Sequence, residues 1–386
     1  MTDERWMHLD FHLPTRIVYG PGRLAELGEI AAALGRRALV VSTPGVPHLH
    51  RATRLLEDAG VEAVVFDEAE PNPSGESVDA AGRIAREEHC ELTIGLGGGS
   101  AMDTAKGAAV MATNQGPAWE YTIEFQGDRR ELERQPLPIV AVPTTAGTGS
   151  EVNFIAVLSN PRTGQKGPLR SDSMRPAYAL IDPELTLTLP PAVTASTGFD
   201  ALTHAFERFF GGHWHPFVDT MAEGVMSAVV SFLPRVLDSP DDLEGRCQMS
   251  WAATQAAMCV LAPMGEAGLH IFGLAVSAMT DAVHGQALAA MMGPVLSDLA
   301  TAYPERAARL AGLLGAEPRA EAVVPAMKCW MRSVEMDLSL GDVGVDDGSL
   351  ERLVAATNME RLAASYHREM SAEQVLAIYE SAMEPW

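Results

Sequence analysis

Asp200 and His204 stand four residues apart in the run Gly198-Phe199-Asp200-Ala201-Leu202-Thr203-His204. On a helix, side chains at i and i+4 lie one above the other, about 6 Å apart, so this carboxylate and imidazole can share a ligand. Two further histidines follow, His270 and His284, the second leading into Gly285. Unbroken helix between those two would hold them about 21 Å apart, too far for one ion. They converge only if the helix carrying His270 ends and the chain folds back, and Thr280 and Asp281 are the expected N-cap residues of the returning helix. One carboxylate with three imidazoles suits Fe2+ or Zn2+, whereas Ca2+ and Mg2+ want more oxygens. The plainer reading is a helix pair on the surface with two unrelated histidines, and spacing alone leaves both readings open. His213-Trp214-His215 offers a rival cluster, but alternate positions at a glycine-rich corner before Pro216 read as a surface turn.

A second chemistry is written in glycine. An apolar run ending at Leu96 opens into Gly97-Gly98-Gly99-Ser100-Ala101-Met102-Asp103-Thr104-Ala105-Lys106. Glycines let the backbone turn sharply and bring its N–H groups against a ligand. The helix that follows adds its free first-turn N–H groups, so a strand–glycine–helix junction is a pyrophosphate site on physical grounds. It is neither G-x-G-x-x-G nor a Walker A sequence. The run Pro143-Thr144-Thr145-Ala146-Gly147-Thr148-Gly149-Ser150-Glu151-Val152 packs donors without bulk after another apolar run. Ligands of open α/β sheets bind beyond the carboxyl ends of strands. Two such loops on one edge read as a dinucleotide cradle, against the alternative of tight turns that hold nothing.

Elements must exist to carry these loops. Short β-branched runs at 17–19, 38–42, 61–66, 92–96, 138–142 and 178–181 alternate with helical patterns at 23–34, 51–59 and 77–88. That alternation predicts a parallel sheet with helices on its faces. Beyond Leu189-Pro190-Pro191 the β-branched runs give way to helix-period patterns rich in alanine, methionine and leucine, at 197–210, 217–237 and 243–262. The expected organisation is an α/β domain over 1–190 and an all-helical domain over 191–386, with the double proline at the boundary.

Composition limits the partners. The 386 residues carry 28 basic and 51 acidic side chains, a net charge of −23, which repels nucleic acid and anionic membrane surfaces. Cys90, Cys247, Cys259 and Cys329 form no C-x-x-C pair, so neither a disulfide framework nor a thiolate zinc site is expected. No basic and apolar leader opens the chain, and the apolar run at 261–279 is interrupted by Pro263, Glu266, His270 and Ser277. The expectation is a cytoplasmic protein without nucleic acid or membrane partners.

Taken together, these motifs resemble the iron-containing (group III) alcohol dehydrogenase family over nearly the whole chain. The resemblance runs through Tyr19-Gly20-Pro21-Gly22, Pro71-Asn72-Pro73, both loops, Asp182-Pro183-Glu184-Leu185-Thr186, residues 198–204, His270 and His284-Gly285. It implies a Rossmann-like domain followed by a helical domain, an architecture similar to that of dehydroquinate synthase, with a catalytic cleft between the two. It implies metal ligation by Asp200, His204, His270 and His284, with Fe2+ or Zn2+ and with NAD or NADP as cofactors, in a homodimer acting on a small-molecule alcohol or aldehyde. Gly98, Gly99 and Ser100 would take the pyrophosphate, with Asp103 nearby. Thr144, Thr145 and Thr148 would line the cofactor cleft, Lys166 would bond the ribose, and Asn153 and Ile155 would face the nicotinamide. Thr43, Asn72 and Leu185 complete the implied cofactor set.

Two departures from the family pattern matter. A histidine common four residues after the first late ligand is Leu274 here, so a proton must travel through water, a hydroxyl or the cofactor ribose. After the second strand, Ser42-Thr43-Pro44 replaces the aspartate of many NAD-preferring members, which leaves NADP open. The expected reaction is hydride transfer between NAD(P)H and a small alcohol or aldehyde, with the metal as Lewis acid. The alternatives are a maleylacetate-type reductase or a reductase of an anionic aldehyde such as a phosphonate aldehyde, with Arg162, Arg170 and Arg175 meeting the anion. From another class, the chain would be a nucleotide-binding protein with a vestigial metal site.

Overall fold

The structure is a computed structural model that describes residues 8–212, 214–262, 266–280 and 282–384. The chain forms two compact units, which meet in sequence between Leu189 and Pro190. Residues 8–12 belong to the helical unit, although the sequence reading placed them with the sheet. Leu9 packs there against Val218 and Ala262, and the Phe11 and Phe217 rings lie 5.1 Å apart.

The first unit alternates strands and helices: β1 (Arg16–Tyr19), α1 (Leu27–Ala32), β2 (Arg37–Ser42), α2 (Leu49–Asp58), β3 (Glu62–Phe66), α3 (Gly75–Glu87), β4 (Leu92–Gly97), α4 (Gly99–Thr113), β5 (Ile139–Pro143), then β6 (Ile155–Asn160), β7 (Gln165–Arg170) and β8 (Tyr178–Ile181). Six strands form one parallel sheet in the order β1-β8-β5-β4-β2-β3. β2 and β4 are buried at nearly every position, as strands covered by helices on both faces must be. From β2 the chain moves to one side of the sheet and from β4 to the other. The carboxyl ends of these two neighbours therefore form the topological switch point, where such sheets bind ligands.

Two local differences from the sequence reading have simple causes. The helix expected at 23–34 begins as a 3-10 turn, Arg23–Glu26, whose N–H groups are met by the Asp182 carboxylate at 2.9 Å from Gly22 and Leu24. The β6–β7 antiparallel hairpin was not expected; its turn, Asn160-Pro161-Arg162-Thr163-Gly164, closes on Gly164 at φ 67°.

The second unit is helical: α5 (Pro191–Phe210), α6 (Pro216–Asp238), α7 (Leu243–Leu261), α8 (Leu269–Thr280), α9 (His284–Ala302), α10 (Pro304–Leu313), α11 (Val323–Ser333), α12 (Leu350–Ala356), α13 (Met359–Ser365) and α14 (Ala372–Ser381). α5 starts six residues earlier than the apolar pattern suggested. Proline is preset for the first helical position, so Pro191 opens the helix that it was expected only to precede. α6 is long and apolar enough to cross a membrane by length and composition. Its buried residues Val218, Ala222, Val225, Val229, Leu233 and Val236 recur at helical spacing on one face, the pattern of a bundle helix.

Candidate functional site

In the helical unit, Asp200, His204 and Glu207 project from one face of α5, at i, i+4 and i+7. His270 comes from the first turn of α8 and His284 is the first residue of α9. The break that separates the two late histidines is real, but its cap differs from the expected one. Val283 occupies the N-cap of α9 without a side-chain cap; Thr280 Oγ1 instead accepts from the Ala282 N–H at 3.2 Å, and Asp281 lies outside the described residues.

Two glycines bring α8 and α9 into place. A Cβ at Gly285 would stand 2.1 Å from the Ser196 carbonyl oxygen, so the start of α9 lies directly against the α5 backbone. At Gly273, a Cβ would meet Leu288 Cδ2 at 2.6 Å. The rigid Gly285 contact sets His284 beside Asp200, and Gly273 lets α8 pack closely on α9. One ligand atom each from Asp200, His270 and His284 lie within 4.8 Å of one another. From Asp200 Oδ1, His270 Nε2 is 3.6 Å away, His284 Nε2 3.8 Å and His204 Nδ1 3.9 Å. Ligands about 2.0–2.2 Å from a tetrahedral metal stand about 3.3–3.6 Å from one another, so the cluster is close to coordinating size. His204 stands beside this group of three, its ring stacked on His270 with centroids 4.6 Å apart.

The donors fit a cation. Asp200 Oδ1, His204 Nδ1 and both ring nitrogens of His270 are buried and make no hydrogen bond among the described residues, an arrangement costly without a ligand. Burial would raise the Asp200 carboxyl, but His204, His270 and His284 outweigh it and hold Asp200 well below the usual range. Burial lowers His204. It acts the same way on His270, but there the Glu207 and Asp200 carboxylates prevail and push the ring up to about 10. The sequence reading missed Glu207, although its spacing from Asp200 marks the same helix face. The rival cluster is a cap: His215 Nδ1 accepts from the Phe217 N–H at 3.1 Å at the start of α6, and His213 lies outside the described residues.

In the sheet unit, the glycine loop and the threonine loop are neighbours because β4 pairs with β5, and the Thr144 N–H donates to the Gly97 carbonyl at 2.9 Å. Gly98 is the N-cap of α4, with Gly99 and Ser100 in its first turn. Cβ atoms built on Gly98 and Gly99 would point at Thr145 and Thr148, 3.4 and 2.7 Å away. Thr43 follows β2, its Oγ1 4.0 Å from where a Gly97 Cβ would stand. The Ser42 hydroxyl ties β2 to β4 by donating to the Leu96 carbonyl at 2.9 Å. Thr43, Gly98, Gly99, Ser100, Thr144, Thr145 and Thr148 thus gather at the switch point.

The remaining implied cofactor residues are placed differently. Asn72 and Lys166 meet through Ser159: its hydroxyl donates to the Asn72 carbonyl at 2.7 Å, and it pairs with Lys166 across the hairpin. Leu185 is buried in the core, and its carbonyl lies 3.1 Å from His48 Nε2. Asp103 and Asn153 brace the scaffold. Asp103 accepts from the Ser150 hydroxyl at 2.6 Å and the Val157 N–H at 2.9 Å. Lys106, which the sequence reading did not single out, is fully buried and donates to Ser150 Oγ, Asn153 Oδ1 and the Ile155 carbonyl at 2.7–2.8 Å. Burial lowers this lysine to about 8, against the opposing pull of Asp103 and Glu151. The network pins the threonine loop and β6 to α4.

A parallel sheet with a small-residue cradle at its switch point and a helical unit with a carboxylate–imidazole cluster are the arrangement expected of a metal-dependent dehydrogenase linked to a dinucleotide. Residues 14–183 match the family described as iron-containing alcohol dehydrogenase, and residues 194–383 match the C-terminal part of the Fe-containing alcohol dehydrogenase family. The chain belongs to the iron-containing alcohol dehydrogenase family and is an oxidoreductase. A choline dehydrogenase of Bacillus subtilis (strain 168) is 35% identical over 353 residues, covering 89% of this chain and 87% of the relative. Among solved structures, an archaeal halo-thermophilic alcohol dehydrogenase from a Red Sea brine pool aligns with a TM-score of 0.91 at 29% identity, over 97% of this chain and 99% of that one. A sulfoacetaldehyde reductase from Bifidobacterium kashiwanohense, solved with NAD+, aligns with a TM-score of 0.86 at 29% identity, over 98% and 99%.

Proposed function

We propose that this alcohol dehydrogenase is a cytoplasmic enzyme that interconverts a small alcohol and its aldehyde with NAD(P)(H), using Fe2+ or Zn2+ held by Asp200, His204, His270 and His284. The observation that carries the reading is the convergence of Asp200, His270 and His284 within 4.8 Å. One carboxylate with imidazoles favours those two ions over Ca2+ or Mg2+. When bound, the metal supplies Lewis acidity to the substrate oxygen and the nicotinamide supplies or takes the hydride. The protein's part is to hold. Asp200, 3% exposed, stays ionised among its three histidines and offsets the ion's charge away from water. The N–H groups of Gly98, Gly99 and Ser100 at the start of α4 take the pyrophosphate, where the helix dipole favours an anion. Thr43 meets the adenosine ribose.

Asp200→Ala and His284→Ala test the centre. Each removes a ligand without opening a large cavity, so metal content and turnover fall together. His284→Ala, at the more exposed side of the cluster, is expected to keep the melting temperature of the metal-free protein, whereas Asp200→Ala also removes the carboxylate that the buried histidines stabilise. Full activity in a variant shown by elemental analysis to be metal-free would overturn the proposal.

Likeness to the sulfoacetaldehyde reductase favours a second reading, reduction of an anionic aldehyde. Of the arginines considered for it, Arg162 pairs with Glu76, and Arg175 pairs with Asp172 and lies over the Phe154 ring. A panel of short alcohols, choline and sulfoacetaldehyde with both cofactors separates the readings.

A further inference from the structure

Glu207 is buried, 3% exposed, and touches His270 at two points. Its Oε1 accepts the His270 backbone N–H at 2.9 Å, and its Oε2 lies 3.3 Å from Nδ1 of the same residue. The other ring nitrogen, Nε2, faces Asp200 Oδ1 at 3.6 Å. Both ring nitrogens face a carboxylate, and an ionised carboxylate only accepts; once Nε2 gives its lone pair to a metal beside Asp200, the remaining ring proton sits on Nδ1, facing Glu207. Nδ1 is buried and makes no hydrogen bond among the described residues, and Oε2 at 3.3 Å is the carboxylate oxygen beside it.

We propose that Glu207 is a positioning residue of the metal centre, fixing the Nδ1–H tautomer of His270 so that Nε2 is the nitrogen offered to the metal. The proposal rests on the metal reading above. Its rival is that Glu207 serves only as a cap for the first turn of α8, through the backbone contact.

Glu207→Gln separates these roles. The amide oxygen still accepts the His270 N–H, but the amide NH2 now faces Nδ1. Nδ1 then becomes the acceptor, and the proton moves to Nε2, where the metal must bind. Cobalt(II) is the probe, added to the metal-free full-length chain, with affinity read by chelator competition and geometry by the visible spectrum. Glu207→Gln is expected to fold like the wild type, to bind Co2+ about 10–100-fold more weakly and to shift the ligand-field bands. In a His270→Ala background the same substitution is expected to add no further loss. Glu207→Asp, which keeps an acceptor-only group, retains the wild-type spectrum with weaker affinity.

Wild-type affinity and spectrum in Glu207→Gln would overturn the proposal. So would equal losses in both backgrounds, or a changed spectrum in Glu207→Asp. A wild-type chain that binds no Co2+, or an Asp200→Ala variant that binds it as tightly, would instead defeat the metal reading itself.

Discussion

Replacing Gly285 with alanine tests how the fold assembles the proposed metal centre. The added Cβ would stand 2.1 Å from the Ser196 carbonyl oxygen, where ordinary contact begins at 3.4 Å. The obstacle is backbone inside α5, so it has no rotamer with which to yield. The start of α9 must retreat by about 1 Å in a close-packed interior, and His284 moves with it. Metal sites tolerate ligand displacements of about 0.2 Å. Loss of one ligand costs more than the about 10–100-fold typical of losing a ligand's hydrogen-bond partner, so Co2+ affinity is expected to fall by at least about 100-fold.

Overpacking also costs about 1–3 kcal/mol, or about 2–12 °C in melting temperature for a unit of this size. Gly273→Ala is the control. Its Cβ meets the flexible Leu288 side chain, 2.6 Å from Cδ2 and 3.3 Å from Cγ, with the Leu288 Cα at an ordinary 3.5 Å, and alanine adds about 1 kcal/mol of helix propensity. That variant is expected to keep its metal. Chelator-competition titrations of both variants, with thermal melts of the metal-free proteins, read the difference. Undiminished Co2+ affinity in Gly285→Ala would refute the claim that the α5–α9 contact places His284.

Three further outcomes follow from the same geometry. In the metal-free protein burial opposes a charged His270, but Glu207 and Asp200 push it up to about 10, so the metal must displace a proton at neutral pH. Zn2+ affinity is therefore expected to rise about tenfold per pH unit between pH 6 and 8, with calorimetry showing release of about one proton; flat affinity would contradict this. Gly98→Ala keeps an ordinary φ of −76° and a Cβ contact no closer than 3.4 Å, so it costs about 0.5–1 kcal/mol at the N-cap. It is expected to weaken NAD(P)H binding about 10–100-fold by fluorescence titration, the worth of one charge-assisted hydrogen bond. Gly99→Ala, with its Cβ 2.7 Å from Thr148 Cγ2, is expected to lower stability as well, and equal melting temperatures for the two variants would argue against this contrast. Thr43→Asp is expected to depress kcat/KM with NADPH about 10–100-fold more than with NADH, because the new charge opposes a 2′-phosphate; equal losses would remove Thr43 from ribose recognition.

Much of this protein is local, and what is local is legible. β-branched runs alternating with helical patterns specify the parallel strands, because a strand buried on both faces has no polar positions to confuse with another element. The glycine and threonine loops announce themselves by composition, and the Asp200–His204 spacing carries its own geometry through the period of the helix. The late histidines were seen to need a chain break between them, from helix rise alone.

What tertiary structure decided is which distant pieces touch. Nothing near Gly285 in sequence says that it must pass the Ser196 carbonyl, and nothing near Glu207 says that it reaches His270, 63 residues on. Lys106 reads as an ordinary helix lysine until α4 buries it against Ser150, Asn153 and Ile155. Propensity and periodicity act over a few residues. The convergence of Asp200, His270 and His284 is set by which backbones can approach across the core, and that depends on the whole packing at once.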